Sequence, residues 1–279
     1  MSTLTLSATG LDPLTLSSPF VRRSFEWVSG SHRVVSEEAP GADGEIDTSQ
    51  LHAAGSVTIG LRLLPTAPFE TSLRQLRAFT NGRLRPTLSI VADDESEKIA
   101  TLSRGTVTTA QERPTHQDAV IQFAVPSGIL ESAELHEASA NASGDTVDGF
   151  EFDIEFDLEF PAASPQGSVE VVNAGDRDAY PVLRLFGPWS GESSIINDTY
   201  DERLVFDNLS VTAGNYLEID TRAKTILLNG DSTQTRYQYL VFPDSTWFTL
   251  RPGTQRIRFV PTTFTAPAQA LILWRDAWS

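Results

Sequence analysis

The residues best able to do chemistry in this chain are carboxylates. The segment Glu151-Phe-Asp-Ile-Glu-Phe-Asp-Leu-Glu-Phe160 alternates apolar and acidic residues without a break. As a strand it sends Phe152, Ile154, Phe156, Leu158 and Phe160 to one face and Glu151, Asp153, Glu155, Asp157 and Glu159 to the other, because successive side chains point to opposite sides. Like charges then recur every ~6.8 Å, where repulsion is modest in water and strong once water is removed. The acidic face therefore stays wet, lines a channel that repels a passing polyanion, or docks against arginines such as Arg74, Arg77, Arg83 and Arg85. Two further clusters, Asp43-Gly44-Glu45-Ile46-Asp47 and Asp93-Asp94-Glu95, lack the alternating ligands and closing glutamate of a calcium loop, so each reads as a solvated turn.

Other chemistries fail on spacing. His32, His52, His116 and His136 lie far apart, none in a His-x-x-x-His or Glu-x-x-His frame, and each reads as a solvated loop histidine. Gly191-Glu-Ser193-Ser-Ile195 lacks the second glycine of a nucleophile elbow, and no phosphate-cradling glycine loop occurs. With no cysteine, thiolate metal sites and disulfides are excluded. Catalytic residues, metal and cofactor are thus all expected to be absent, and the chain reads as no enzyme. A formal charge of −16 opposes sequence-independent attraction to nucleic acid or anionic lipid. No apolar run approaches the ~20 residues that span a bilayer, and Met1-Ser2-Thr3-Leu4-Thr5 does not open a secretion signal, so neither anchor nor export signal is expected.

The elements that must position such faces are strands. At 279 residues two domains are expected, with a hydrophobic share of 40% that supports a core in each. Period-two runs at Ser56–Leu63, Thr87–Val91, Ala119–Val125, Glu151–Phe160, Tyr180–Phe186, Leu217–Asp220, Thr225–Leu228 and Arg256–Val260 predict a mostly β fold. One helix is predicted over about 69–80, where Phe69, Leu73, Leu76 and Thr80 recur at helical spacing. Pro68 suits its first turn, Asn81-Gly82 a left-handed cap, and Glu70 with Arg74 an ion pair. Residues 137–149 read as an exposed loop of the first domain. The run Pro161-Ala-Ala-Ser-Pro165-Gln-Gly167 predicts the junction, giving domains 1–163 and 164–279.

Several phrases of the second domain occur in a telling order. Asn173-Ala-Gly175-Asp-Arg-Asp-Ala179-Tyr-Pro181-Val-Leu-Arg-Leu185-Phe-Gly187-Pro188 comes first. Val211-Thr-Ala-Gly214-Asn-Tyr-Leu217-Glu-Ile-Asp220-Thr-Arg222 and Thr225-Ile-Leu-Leu228-Asn-Gly230 follow as paired strands. Trp247-Phe-Thr-Leu250-Arg-Pro-Gly253 and the ending Leu271-Ile-Leu-Trp274-Arg-Asp276-Ala-Trp278 close the series. In this order they resemble the distal tail protein family of long-tailed bacteriophages and related minor tail proteins. Ala39-Pro-Gly41-Ala-Asp43-Gly44, Leu76-Arg77-Ala78-Phe79 and Arg83-Leu-Arg85-Pro86-Thr-Leu88 extend the resemblance more loosely into the first domain.

The resemblance implies a β-barrel-like first domain with one helix, serving as the ring-forming belt. It also implies a peripheral galectin-like or carbohydrate-module-like β-sandwich. The protein would be a virion structural component at the distal end of the tail. There a homo-hexameric ring would join the tail tube protein to the tip hub protein and to receptor-binding proteins, with no membrane and no sequence-specific nucleic acid as partner. The alternative from a different class is a carbohydrate-binding adhesion module for a host glycan, with Trp189, Tyr200, Tyr216 and Trp247 as candidates for stacking on sugar faces.

Overall fold

The computed structural model describes residues 2–30, 32–38, 45–92, 96–143 and 167–279, with the backbone alone described for 32–38 and 45–52. The chain divides into two compact units: Met1–Glu134 with Ala277–Ser279, and Leu135–Asp276. The division falls before the expected 163/164 junction, and the last three residues return to the first unit. The physical reason is strand pairing: His136–Asn141, read from sequence as exposed loop, pairs antiparallel with Gln269–Trp274 and so belongs to the second unit. The predicted strand Glu151–Phe160 and most of the predicted junction lie outside the described residues.

The first unit comprises β1 (Thr3–Ala8), β2 (Leu11–Thr15), β3 (Phe20–Val28), β4 (His32–Glu38), β5 (Glu45–His52), β6 (Gly55–Leu63), α1 (Phe69–Phe79), β7 (Thr87–Val91), β8 (Glu97–Thr101), β9 (Ser103–Thr109), β10 (Gln117–Val125) and β11 (Leu130–Ser132). In the second unit follow β12 (His136–Asn141), β13 (Ser168–Asn173), β14 (Val182–Phe186), β15 (Trp189–Asn197), β16 (Glu202–Val211), β17 (Tyr216–Asp220), β18 (Thr225–Leu228), β19 (Gly253–Phe264) and β20 (Gln269–Trp274). The chain ends in β21 (Ala277–Trp278), back in the first unit.

Two antiparallel sheets and a hairpin build the first unit: a six-stranded sheet β2-β1-β7-β8-β11-β21, a four-stranded sheet β3-β6-β10-β9, and β4 with β5. The expected barrel does not close; among the described residues the strands form these separate sheets. Alternation explains why. Val57, Ile59, Leu61 and Leu63 of β6 and Ala119, Ile121, Phe123 and Val125 of β10 are buried on one face of the four-stranded sheet. They share one apolar cluster with Leu4, Leu6 and Leu88 of the six-stranded sheet. Two sheets that each bury one face are satisfied by stacking, without closure.

The helix α1 adds Leu73, Leu76 and Phe79 to the same cluster. Its extent matches the sequence expectation, but its ends differ. Pro68 is the N-cap, and the last turn closes on Thr80, whose hydroxyl donates to the Arg77 carbonyl at 2.9 Å, not on a left-handed Gly82. Glu70 reaches Arg77 at 3.5 Å in place of Arg74. Where β3, β6 and β10 end, backbones cross so closely that only glycine fits. A Cβ on Gly55 would lie 2.6 Å from the Val28 carbonyl oxygen, and one on Gly128 2.6 Å from that of Ala53.

In the second unit a five-stranded sheet β12-β20-β14-β17-β18 and a four-stranded sheet β13-β19-β15-β16 make the expected sandwich. Its core includes Leu183, Leu185, Leu217, Ile219 and Ile272 from the first and Ile195, Leu204, Phe206, Ile257 and Phe259 from the second. The Trp274 indole N–H of β20 donates to the Val172 carbonyl of β13 at 3.0 Å, tying the sheets with a satisfied buried donor.

The helix is predicted to be held by burial, not by its surface charges. Leu76→Ala should cost about 2–5 kcal/mol of stability, the range for a fully buried leucine. Arg74→Ala, on the exposed side, should change stability by under ~0.5 kcal/mol. Chemical denaturation of the two variants checks this, and equal effects would contradict the burial account.

Candidate functional site

The four-stranded sheet of the first unit buries one face and leaves the other to be read row by row. Glu26, Thr58, Gln122 and Thr106 form one cross-strand row, and Ser24, Gly60, Val120 and Thr108 the next. A third row carries Val21, Arg62 and Asp118. Hydroxyls and an amide dominate. The charges in these rows are Glu26 and the Arg62–Asp118 pair, whose guanidinium Nε and Nη2 donate to the two carboxylate oxygens at 2.7 and 3.0 Å. That hydrogen bond holds the Asp118 carboxyl below its ordinary range against a smaller opposing desolvation, and the charges of Arg62, His116 and Arg23 add to it. The sheet ends at β3 on one side and β9 on the other. Edge strand β3 exposes Val21 and Val28, at 40% and 48%. An edge strand with exposed valines is a template for pairing with another chain.

The acidic ladder Glu151, Asp153, Glu155, Asp157 and Glu159 lies outside the described residues, as do Asp43, Gly44 and the cluster Asp93-Asp94-Glu95. Among the described residues no group of three or more His, Asp or Glu is placed to hold a metal ion, and no helix is long and apolar enough to cross a membrane.

The four sugar-stacking candidates separate. Trp189 is 2% exposed and meets Phe259 edge-on at 5.8 Å, so its ring is core and offers no face. Tyr200 has the Arg251 guanidinium 4.0 Å over its ring, and Arg251 is itself paired with Glu202. Tyr216 lies against Phe186 at 5.3 Å with Arg184 5.4 Å from its ring centre. Trp247 differs. It is half-buried and nearly parallel to Tyr237, at 19° and 6.4 Å, and Tyr237 in turn touches Phe242 at 6.2 Å. Sequence reasoning missed Tyr237 and Phe242, which are 40% and 57% exposed. The signal was there: Tyr237, Tyr239, Phe242 and Trp247 crowd eleven residues of a chain that is 9% aromatic.

His136, expected as a solvated loop residue, is also better placed than the sequence implied. It is half-buried on β12 against the Trp274 ring at 5.6 Å, with Nε2 3.2 Å from Oδ2 of the buried Asp276. The other carboxylate oxygen of Asp276 accepts the Ala174 backbone N–H at 3.1 Å, which joins β12, the end of β13 and the end of β20.

The chain thus holds two antiparallel β units, stacked sheets in one and a sandwich in the other, and comparison with known proteins finds similarity to both. Residues 174–278 match the family model described as the siphovirus-type tail component, C-terminal domain. That stretch of the chain is therefore similar in sequence to a siphovirus tail-component domain, and the fold on either side of it is β-rich. More particularly, the whole chain resembles the distal tail proteins: it is similar in fold to the SPP1 Dit (gp 19.1) protein, described as a paradigm of the hub adsorption apparatus in phages infecting Gram-positive bacteria. The TM-score is 0.62 at 12% identity, covering 99% of each chain. The phage P2 baseplate in its activated conformation is a weaker match, with Ca (TM-score 0.45, 8% identity) and with Sr (0.46, 9%), each covering 99% of this chain and 98% of the other. No curated protein matches the sequence.

The Arg62–Asp118 pair generates a pH prediction. Because the folded-state carboxyl is depressed, its stabilisation is present above the ordinary carboxylate range and lost as pH falls through the depressed value. Asp118→Asn should therefore flatten the decline in Tm below about pH 4 relative to the parent chain. Superimposable Tm profiles for the two would show that the pair adds nothing to the acid response.

Proposed function

We propose that this chain is a structural protein of the phage tail tip that closes through its first unit into a homo-hexameric ring at the distal end of the tail, joining the tail tube protein to the tip hub protein and the receptor-binding components. The observation that carries the reading is the tail-component domain at 174–278 inside a chain with the Dit fold from end to end. The protein acts by assembly and not by turnover.

The four-stranded sheet supplies a physical route. Edge β3 of one copy pairing with edge β9 of the next would continue the sheet around a ring, satisfying backbone groups that otherwise face water. Such a head-to-tail contact uses two different surfaces and ends in a closed ring when the rotation closes. The face bearing Thr58, Thr106, Thr108, Gln122 and Ser24 would then line the channel, with its one arginine row compensated by Asp118. A wall made mostly of hydroxyls and an amide, with the Arg62 charge paired, offers few cations to a polyanion that must pass and not stick. The second unit would stand at the periphery as a sandwich.

Native mass spectrometry of the purified chain is expected to give six times the protomer mass. Val21→Lys with Val28→Lys, charging an edge already open to water, is expected to reduce it to the protomer mass with Tm unchanged. A parent chain that stays monomeric at every concentration, or a lysine variant that keeps the hexamer, would contradict the ring or its edge respectively.

A further inference from the structure

The aromatic rings of the second unit fall into two sets, and the difference points to a ligand. Tyr180, Tyr200 and Tyr216 each have a guanidinium over the ring, from Arg222, Arg251 and Arg184. Trp189 is core, and Trp274 is engaged by His136 and the Val172 carbonyl. Tyr237, Phe242 and Trp247 instead touch one another and present ring surface to solvent, with Phe242 more than half exposed.

The platform is held open by its backbone. Arg236 N–H donates to the Ile226 carbonyl at 2.8 Å, Val241 N–H to that of Val205 at 2.9 Å, and Thr246 N–H to that of Arg203 at 2.7 Å. The Ser245 hydroxyl oxygen accepts the Val205 N–H at 2.9 Å, and Leu240 is buried beneath. The segment that carries the three rings is thus tied to β18 and to β16, and the rings pack in a fixed row, so binding to them costs little ordering.

Asp244, two residues from Phe242 and three from Trp247, lines a cleft of about 170 Å³ with Glu192, Ser193, Arg203 and Thr262. The Ser193 hydroxyl is buried there and has no hydrogen-bond partner among the described residues. Apolar ring faces on a segment whose Asp244 lines a cleft of mixed donors and acceptors match a ligand with apolar C–H faces and a rim of hydroxyls. A protein partner would need a contact of about 800 Å² per side with a charge-poor centre. Glu192, Arg203 and Asp244 give this site the opposite character. The chain's charge of −16 disfavours an anionic polymer.

We propose that Tyr237, Phe242 and Trp247, with the cleft at Ser193, Arg203 and Asp244, form a binding site for a neutral saccharide. The pyranose C–H face stacks on the rings and the hydroxyls reach the cleft. The site gives the tail component a sugar-recognition role independent of ring assembly.

The test is an array of neutral oligosaccharides built from glucose, galactose, rhamnose and N-acetylhexosamines, probed with the full chain. Titration of the best binder follows, with mass measured alongside. Phe242→Ala and Trp247→Ala should each weaken binding by about tenfold or more. Tyr200→Ala, whose ring is already covered by Arg251, should leave binding unchanged, and none of the three should change the assembly mass. Should Trp247→Ala fail to fold, the exposed Phe242 decides alone. A parent chain that binds no array member, or whose binding survives Phe242→Ala, overturns the proposal while leaving the ring reading standing. A variant that changes the assembly mass shows the platform to be a subunit contact, and overturns it too.

Discussion

Everything in the first unit follows from one-sided burial of the four-stranded sheet. The period-two pattern of β6 and β10 drives Val57, Ile59, Leu61, Leu63, Ile121, Phe123 and Val125 into a core shared with α1 and the six-stranded sheet. Each such side chain contributes roughly 1.5–3 kcal/mol of transfer free energy, so a one-residue slip, which would put all of them into water, is strongly opposed. The same constraint determines what the opposite face can carry. Thr58, Gln122, Thr106 and Thr108 have no core to join, so they and the Arg62–Asp118 pair make a polar surface bounded by two edges that are unpaired among the described residues. A surface and two edges are what an assembling subunit has to offer.

The second unit uses its aromatic residues differently. Arginine caps three tyrosines, and each contact, although worth only about 0.5–1 kcal/mol at an exposed site, removes a ring face from the solvent. The capping arginines Arg184 and Arg251 are in turn paired with Glu218 and Glu202. Ring faces left uncapped are therefore the informative ones. They gather on the segment 237–247, which, with Arg236 before it, is tied by backbone hydrogen bonds to the edge strands β18 and β16 without joining either sheet as a strand.

Much of this was legible in the sequence where local pattern and tertiary environment agreed. The strands Thr87–Val91 and Thr225–Leu228 and the helix from Phe69 are where alternation and helical spacing put them. The resemblance carried by Asn173 to Trp278 held in the same region as the tail-component match. What failed was long-range. His136–Asn141 has few large apolar residues and reads as loop, yet β20 supplies a partner over a hundred residues away. Strands β1, β3 and β9 escaped notice because pairing, not their own pattern, makes them strands. The candidate stacking residues divide likewise: Trp189 is core, Tyr200 is covered by Arg251 and Trp247 keeps ring surface, and which of these a ring becomes depends on neighbours distant in sequence.

The central claim is that this chain forms the ring at the distal end of a siphovirus tail. Its most direct test is a cryo-electron microscopy reconstruction of the tail tip of the virion that contains it. The account requires six copies in one closed ring at the end of the tube, with the sheets β3-β6-β10-β9 of neighbouring copies joined edge to edge. Density for this chain elsewhere in the particle, or at the tip with β3 and β9 unpaired between copies, would contradict it.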